Sequence, residues 1–151
     1  MAASGARSVT EAEAARDRAA DLIHRGRYDE GLTALNAVVA TGDPDEAPRA
    51  LRNIGVLKED VHGDAEGARS AFEAAIAWNH PLHSQGARVN LAQLLEKEGD
   101  RAGAALLFRE VIDSDHPVES PRARTLLGAA NSTVRPPPFG RLTCSRNPTT
   151  W

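Results

Sequence analysis

The chain has 151 residues, 41 % of them hydrophobic, so it can bury a core but fits no more than one domain or a short repeat stack. Its net charge of −3 is uneven: Arg135, Arg141 and Arg146 make residues 129–151 +3, which leaves −6 on the remainder. That acidic body lacks the clustered cations that phosphate binding needs, so nucleic acid is not an expected partner.

Residues 1–10 are small and polar and read as a flexible N-terminus. A helical pattern starts near Glu11, with Ala15, Ala19, Leu22 and Ile23 on one face. Gly26 suits the position just past its end. A second helix follows from Arg27, with Leu32, Leu35, Val38 and Val39 apolar, until Gly42-Asp43-Pro44 stops it. Pro48 suits the first turn of a third helix, whose stripe is Ala50, Leu51, Ile54 and Leu57. Gly63 breaks the chain, and Asp64 can cap a fourth helix bearing Ala68, Ala71, Phe72, Ala75 and Ile76. Asn79-His80-Pro81 turns the chain. Ser84 reads as the N-cap of a fifth helix with Ala87, Leu91, Leu94 and Leu95 apolar. Gly99-Asp100 turns into a sixth, with Ala104, Leu107, Phe108, Val111 and Ile112. After His116-Pro117, Ser120-Pro121 is expected to cap a seventh helix that fades near Asn131. Residues 132–151, with Pro136-Pro137-Pro138, read as a disordered Pro- and Arg-containing tail. The single cysteine, Cys144, falls there and cannot form an internal disulfide.

These elements repeat. His80-Pro81 returns as His116-Pro117, Gly63-Asp64 as Gly99-Asp100, Ala68 as Ala104 and Phe72 as Phe108, each 36 residues on. Asp43-Pro44 and Gly26 precede His80-Pro81 and Gly63 by 37. Asn53 to Asn90 is also 37, so the second unit holds one extra residue around Asp60-Val61-His62, where a longer loop or a widened last helical turn is expected. A fixed period in this range signals stacked helix pairs, none of which can bury both its faces alone.

The pattern resembles tetratricopeptide repeats. Leu91-Ala92, Leu95, Gly99-Asp100, Ala104, Phe108 and Val111 carry the resemblance in the third unit. Ile54-Gly55, Gly63-Asp64, Ala68, Phe72 and Ala75 carry it in the second. The first unit departs through Gly31, Leu35 and Arg18, and the turn proline falls one place late, as a Sel1-like variant would have it. The implied fold class is all-α: an α-α superhelix, or solenoid, of about three helix-turn-helix repeats plus a capping helix. The repeats are placed at 11–47, 48–84 and 85–120, with the cap at 121–131.

The resemblance implies that the first helix of each pair lines a concave groove. Asn53 and Asn90 then stand where related proteins often bond the backbone of an extended peptide. An amide supplies both a donor and an acceptor for that task. Arg49, Arg52 and Arg88 project from the same helices, and Arg122 from the cap. The expected function is a protein interaction adaptor or scaffold, with a protein or peptide partner. The alternative is a structural module that associates with itself. Asp17 at the asparagine position of the first unit, and the lack of a lysine at the expected place in any first helix, disfavour a chaperone-tail ligand.

No nucleophile with a nearby base, phosphate-binding loop or zinc helix is apparent, so no enzyme activity and no cofactor are expected. His80 and His83 are too few to hold zinc, and His80 and His116 are expected to close turns through backbone hydrogen bonds. No apolar run is long enough for a bilayer and no apolar signal region opens the chain. No membrane partner is expected, and the expected compartment is the cytoplasm.

Overall fold

The computed structural model describes residues 10–132. The predicted flexible N-terminus, except Thr10, and the predicted tail from residue 133, with its prolines and Cys144, lie outside the described residues. Within them all regular structure is helical: α1 (Glu11–His24), α2 (Tyr28–Ala40), α3 (Glu46–Asp60), α4 (Ala65–Ala77), α5 (His83–Glu98), α6 (Arg101–Asp113) and α7 (Glu119–Ser132). Each helix packs on its chain neighbours, and α1, α3, α5 and α7 also touch in sequence, whereas α2, α4 and α6 do not touch one another. The odd-numbered helices therefore form the tighter, inner layer and the even-numbered ones splay on the outside. That is an α-α helical repeat stack of three pairs and a closing single helix.

The turn inside each pair is set by local chemistry. Gly26, Gly63 and Gly99 all adopt φ between +62° and +90°, a region that L side chains avoid. In the first and third pairs a six-residue closure follows, Arg27 N–H to Leu22 O (2.9 Å) and Asp100 N–H to Leu95 O (2.8 Å). In the second pair the bond from Asp64 N–H reaches one residue further back, to Lys58 O (2.8 Å). His62 N–H also approaches Leu57 O at 3.4 Å, so the extra residue is absorbed as a widened last turn of α3. Asp64 and Asp100 then cap α4 and α6 through the N–H groups of Gly67 (2.8 Å) and Gly103 (2.9 Å).

The turn between pairs corrects one expectation. Ser84 and Ser120 are not N-caps; both are buried inside the first turn of their helices. Their hydroxyls donate back to the preceding pair, Ser84 to Ala75 O (2.8 Å) and Ser120 to Val111 O (2.7 Å). The capping acceptor sits three residues ahead of each helix. His80 Nδ1 accepts from the N–H groups of Leu82 and His83, both at 3.1 Å. His116 Nδ1 does the same for Val118 (3.3 Å) and Glu119 (3.1 Å). Asp43 Oδ1 takes this place before α3, with Asp45 (3.0 Å) and Glu46 (2.9 Å). The backbone oxygens of the same three residues accept from Ala47, Ser84 and Ser120. The proline after each cap stands where a missing N–H costs nothing. This is why α3, α5 and α7 begin two residues ahead of the predicted boundaries at 48, 85 and 121.

Packing follows from size. Phe72 and Phe108 are wholly buried, among Val89, Leu91, Leu95, Val111 and small residues. A Cβ on Gly55 would lie 2.4 Å from the Phe72 ring, so α3 and α4 approach only because that position has no side chain. A second cluster, Leu35, Val38, Ile54 and Leu57 with Ala19 and Ala50, joins the first pair to the second.

Phe108→Ala is expected to lower unfolding free energy by about 3–5 kcal/mol, read from urea denaturation. His116→Ala is expected to cost about 1 kcal/mol, and His116→Asp to recover most of it because an aspartate already fills the role at position 43. Equal losses in the two histidine variants would refute the capping role.

Candidate functional site

The inner layer carries two cavities of about 330 Å³ each. One lies between α1 and α3, lined by Arg16, Asp17, Ala20, Ile23, Arg49 and Asn53, with Leu35 of α2 behind. The other lies across α3, α5 and α7, lined by Arg52, Val56, Glu59, Asp60, Asn90, Gln93, Lys97 and Arg122. Five of the six residues expected to bind a partner therefore face the inner layer, distributed over two neighbouring cavities.

Arg88 is the exception. Its guanidinium donates to Gln85 Oε1 (3.2 Å) and lies 3.7 Å from Glu110 Oε2 on α6. Two residues in a helix rotate a side chain by about 200°, so Arg88 and Asn90 cannot share a face. Arg88 links α5 to its outer partner instead.

The asparagines differ in setting. Asn53 is exposed, whereas Asn90 is only 8 % exposed. Neither side chain hydrogen-bonds to another described residue. Each amide therefore keeps its donor and its acceptor unengaged by the described residues.

The arginines converge through a register that sequence reasoning missed. Arg49, Gly86 and Arg122 occupy equivalent first-helix positions, 37 and 36 residues apart. At the middle of that row there is no side chain, and the Arg52 guanidinium fills the notch. A Cβ on Gly86 would stand 2.7 Å from an Arg52 terminal nitrogen. Burial pulls the Arg52 pKa below its ordinary value; Arg122 and Arg49 add to this, while Glu119 opposes it. Arg122 has partners of its own, Glu119 Oε2 and Gln93 Oε1, both at 3.4 Å. Lys97 is held by Glu59 at 2.5 Å. The signal for the notch was present in the period: a glycine between two arginines at the same register.

Beside this cluster, His83 stacks on His80 with ring centroids 4.6 Å apart. Its Nδ1 is buried with no partner among the described residues. Burial, then the charges of His80, Arg49 and Arg52, push the His83 pKa down to about 4, with Asp45 opposing. His80 Nδ1 is already engaged by backbone, and among the described residues no group of three or more His, Cys, Asp or Glu side chains could hold a metal ion. No helix among them is long and apolar enough to cross a membrane. No family model matches the chain, and no curated protein matches it.

The His83 environment makes stability depend on pH. An unfolded histidine takes up a proton below about 6.5, the folded His83 only below about 4, so this group's contribution to stability is lost as pH falls between those values. Wild type is expected to lose roughly 1–3 kcal/mol more than His83→Gln as pH falls from 7 to 4, by chemical denaturation at each pH. Parallel pH curves for the two proteins would rule out the assignment.

Proposed function

We propose that this chain is an interaction module of the tetratricopeptide type, and that it holds an extended segment of another protein along its inner helical layer. The observation that carries the reading is the Asn90 amide on the wall of a polar cavity, unpaired and repeated as Asn53 one pair earlier. The repeat supports it further: a peptide extends by about 3.3 Å per residue and needs equivalent anchors at intervals, which stacked pairs provide. An asparagine bonds a peptide unit through both its N–H₂ and its C=O, so the recognition would read backbone more than side chains.

Self-association is the second reading. It is favoured by an open cavity of about 510 Å³ at the α1–α2 end of the stack, where Ala14, Ala15, Leu22, Ala34 and Ala37 meet Glu11, Arg18 and Glu30. In this reading the end face would be covered by a second copy. Sedimentation of the full chain over a hundredfold concentration range separates the two, since a groove-binding module stays monomeric.

For the groove, the test is direct binding of twelve-residue peptides selected from a random displayed library on the folded chain. Asn53→Ala/Asn90→Ala is expected to weaken the selected peptides by roughly tenfold or more while circular dichroism stays unchanged. Unaltered affinity in a folded double variant would remove the asparagines from the site.

A further inference from the structure

The three inner-layer arginines form a feature that peptide-backbone recognition leaves unused. Arg52 is only partly exposed, yet its guanidinium has no hydrogen bond or ion pair with any described residue. A guanidinium offers five N–H donors in a rigid planar fork, and leaving them unmatched in a cavity wall is unfavourable. Its nearest like charges, Arg49 and Arg122, come from the register row on either side of Gly86. Of the carboxylates around it, Glu119 acts on Arg52 through its charge but makes no hydrogen bond or ion pair with it. Glu119 bonds Arg122, and Glu59 bonds Lys97. Asp60 stands eight residues along α3 from Arg52, about 12 Å in helical rise.

We infer that the Arg52 guanidinium, seated over Gly86 between Arg49 and Arg122, is a subsite for one anionic side chain of the bound segment. The inference rests on the groove reading above and deepens it by naming the chemistry of the partner. The anion is a carboxylate or a phosphoryl group, because the planar fork pairs with the oxygens of either. Asn90 lines the same cavity, so backbone and anion would be read side by side. The acidic character of the chain sharpens this. With −6 on residues 1–128, an acidic segment is repelled by most of the surface and held only where arginines cluster. The same arrangement gives the segment a register. Without the anion contact, repeated asparagines would hold a peptide in several shifted positions.

Gly86 allows the geometry to be tested without removing the charge. In Gly86→Ala the nearest neighbours of the added methyl are atoms at the far end of the Arg52 side chain, which can swing away. The fold is therefore kept while the guanidinium is displaced. The experiment uses the full chain and three synthetic libraries of twelve-residue peptides, random except for a central Glu, Gln or phosphoserine. Retention on wild type, Arg52→Gln and Gly86→Ala is measured at low salt, with circular dichroism confirming the fold of each. Wild type is expected to retain the Glu or the phosphoserine library at least about tenfold over the Gln library. Arg52→Gln should abolish that preference and Gly86→Ala should reduce it. Retention of the Glu library alone identifies a carboxylate, and of the phosphoserine library alone a phosphoryl group. Equal retention of all three overturns the anion subsite and leaves the groove standing. Retention of none overturns both. A preference that survives in folded Arg52→Gln overturns the assignment to Arg52.

Discussion

The junction between consecutive helix pairs governs the rest of this structure. A pair has its own apolar seam, but the inner layer exists only if the next pair arrives at a fixed angle. That angle is held by two groups acting at one turn. A side-chain acceptor three residues ahead of the helix, Asp43, His80 or His116, gathers the first free N–H groups. A buried serine two positions into the fully formed helix bonds a carbonyl of the previous pair. The first junction lacks the serine, and Ala47 stands in its place. There the Val38 carbonyl keeps the Thr41 hydroxyl (2.6 Å), the counterpart of the Ser114 hydroxyl that joins Ser120 on the Val111 carbonyl (2.6 Å), so this buried acceptor stays paired without the serine.

Much of this was legible in the sequence, because periodicity is a packing statement. Phe72 and Phe108 recur because each wedge needs a large side chain, and Gly55 recurs as Ala92 because that wedge needs a thin neighbour. Histidine closure of the turns and the widened end of α3 were also readable, the first from its repetition and the second from one surplus residue. What misled was the ambiguity of serine. Before a helix it is a good cap, but it serves equally well as a donor from inside the first turn. Only the burial of Ser84 and Ser120 separates the two roles.

The candidate site was legible to a smaller degree, for a reason of phase. The sequence assigns Arg49, Arg52, Asn53, Arg88, Asn90 and Arg122 to first helices, but membership of a helix does not say which way a side chain points. Arg88 lies on the side of α5 that faces α6 and is lost to Glu110. Arg52 leaves its own register and enters a space that belongs to position 86. That move depends on an absent side chain in another helix, which no single-helix pattern shows. It becomes visible when the three units are aligned and the glycine is compared with the arginines above and below it.

The cost of this arrangement bears on why the arginines are there. A scaffold that needed only to stack would gain by filling the Gly86 position with a side chain and pairing or removing Arg52. Helix-interior glycine is less favourable than alanine by about 1 kcal/mol, and a partly desolvated, unpaired guanidinium adds to that. Neither group helps the junctions, the wedges or the turns described above. Sequences that depart from local stability rules usually do so at functional positions, and here the two departures touch each other. His83, also less well satisfied than its surroundings, sits against the same cluster, and its neutral form spares the arginines a further positive neighbour. These three unfavourable terms thus gather on one stretch of the inner layer, beside the unpaired Asn90 amide.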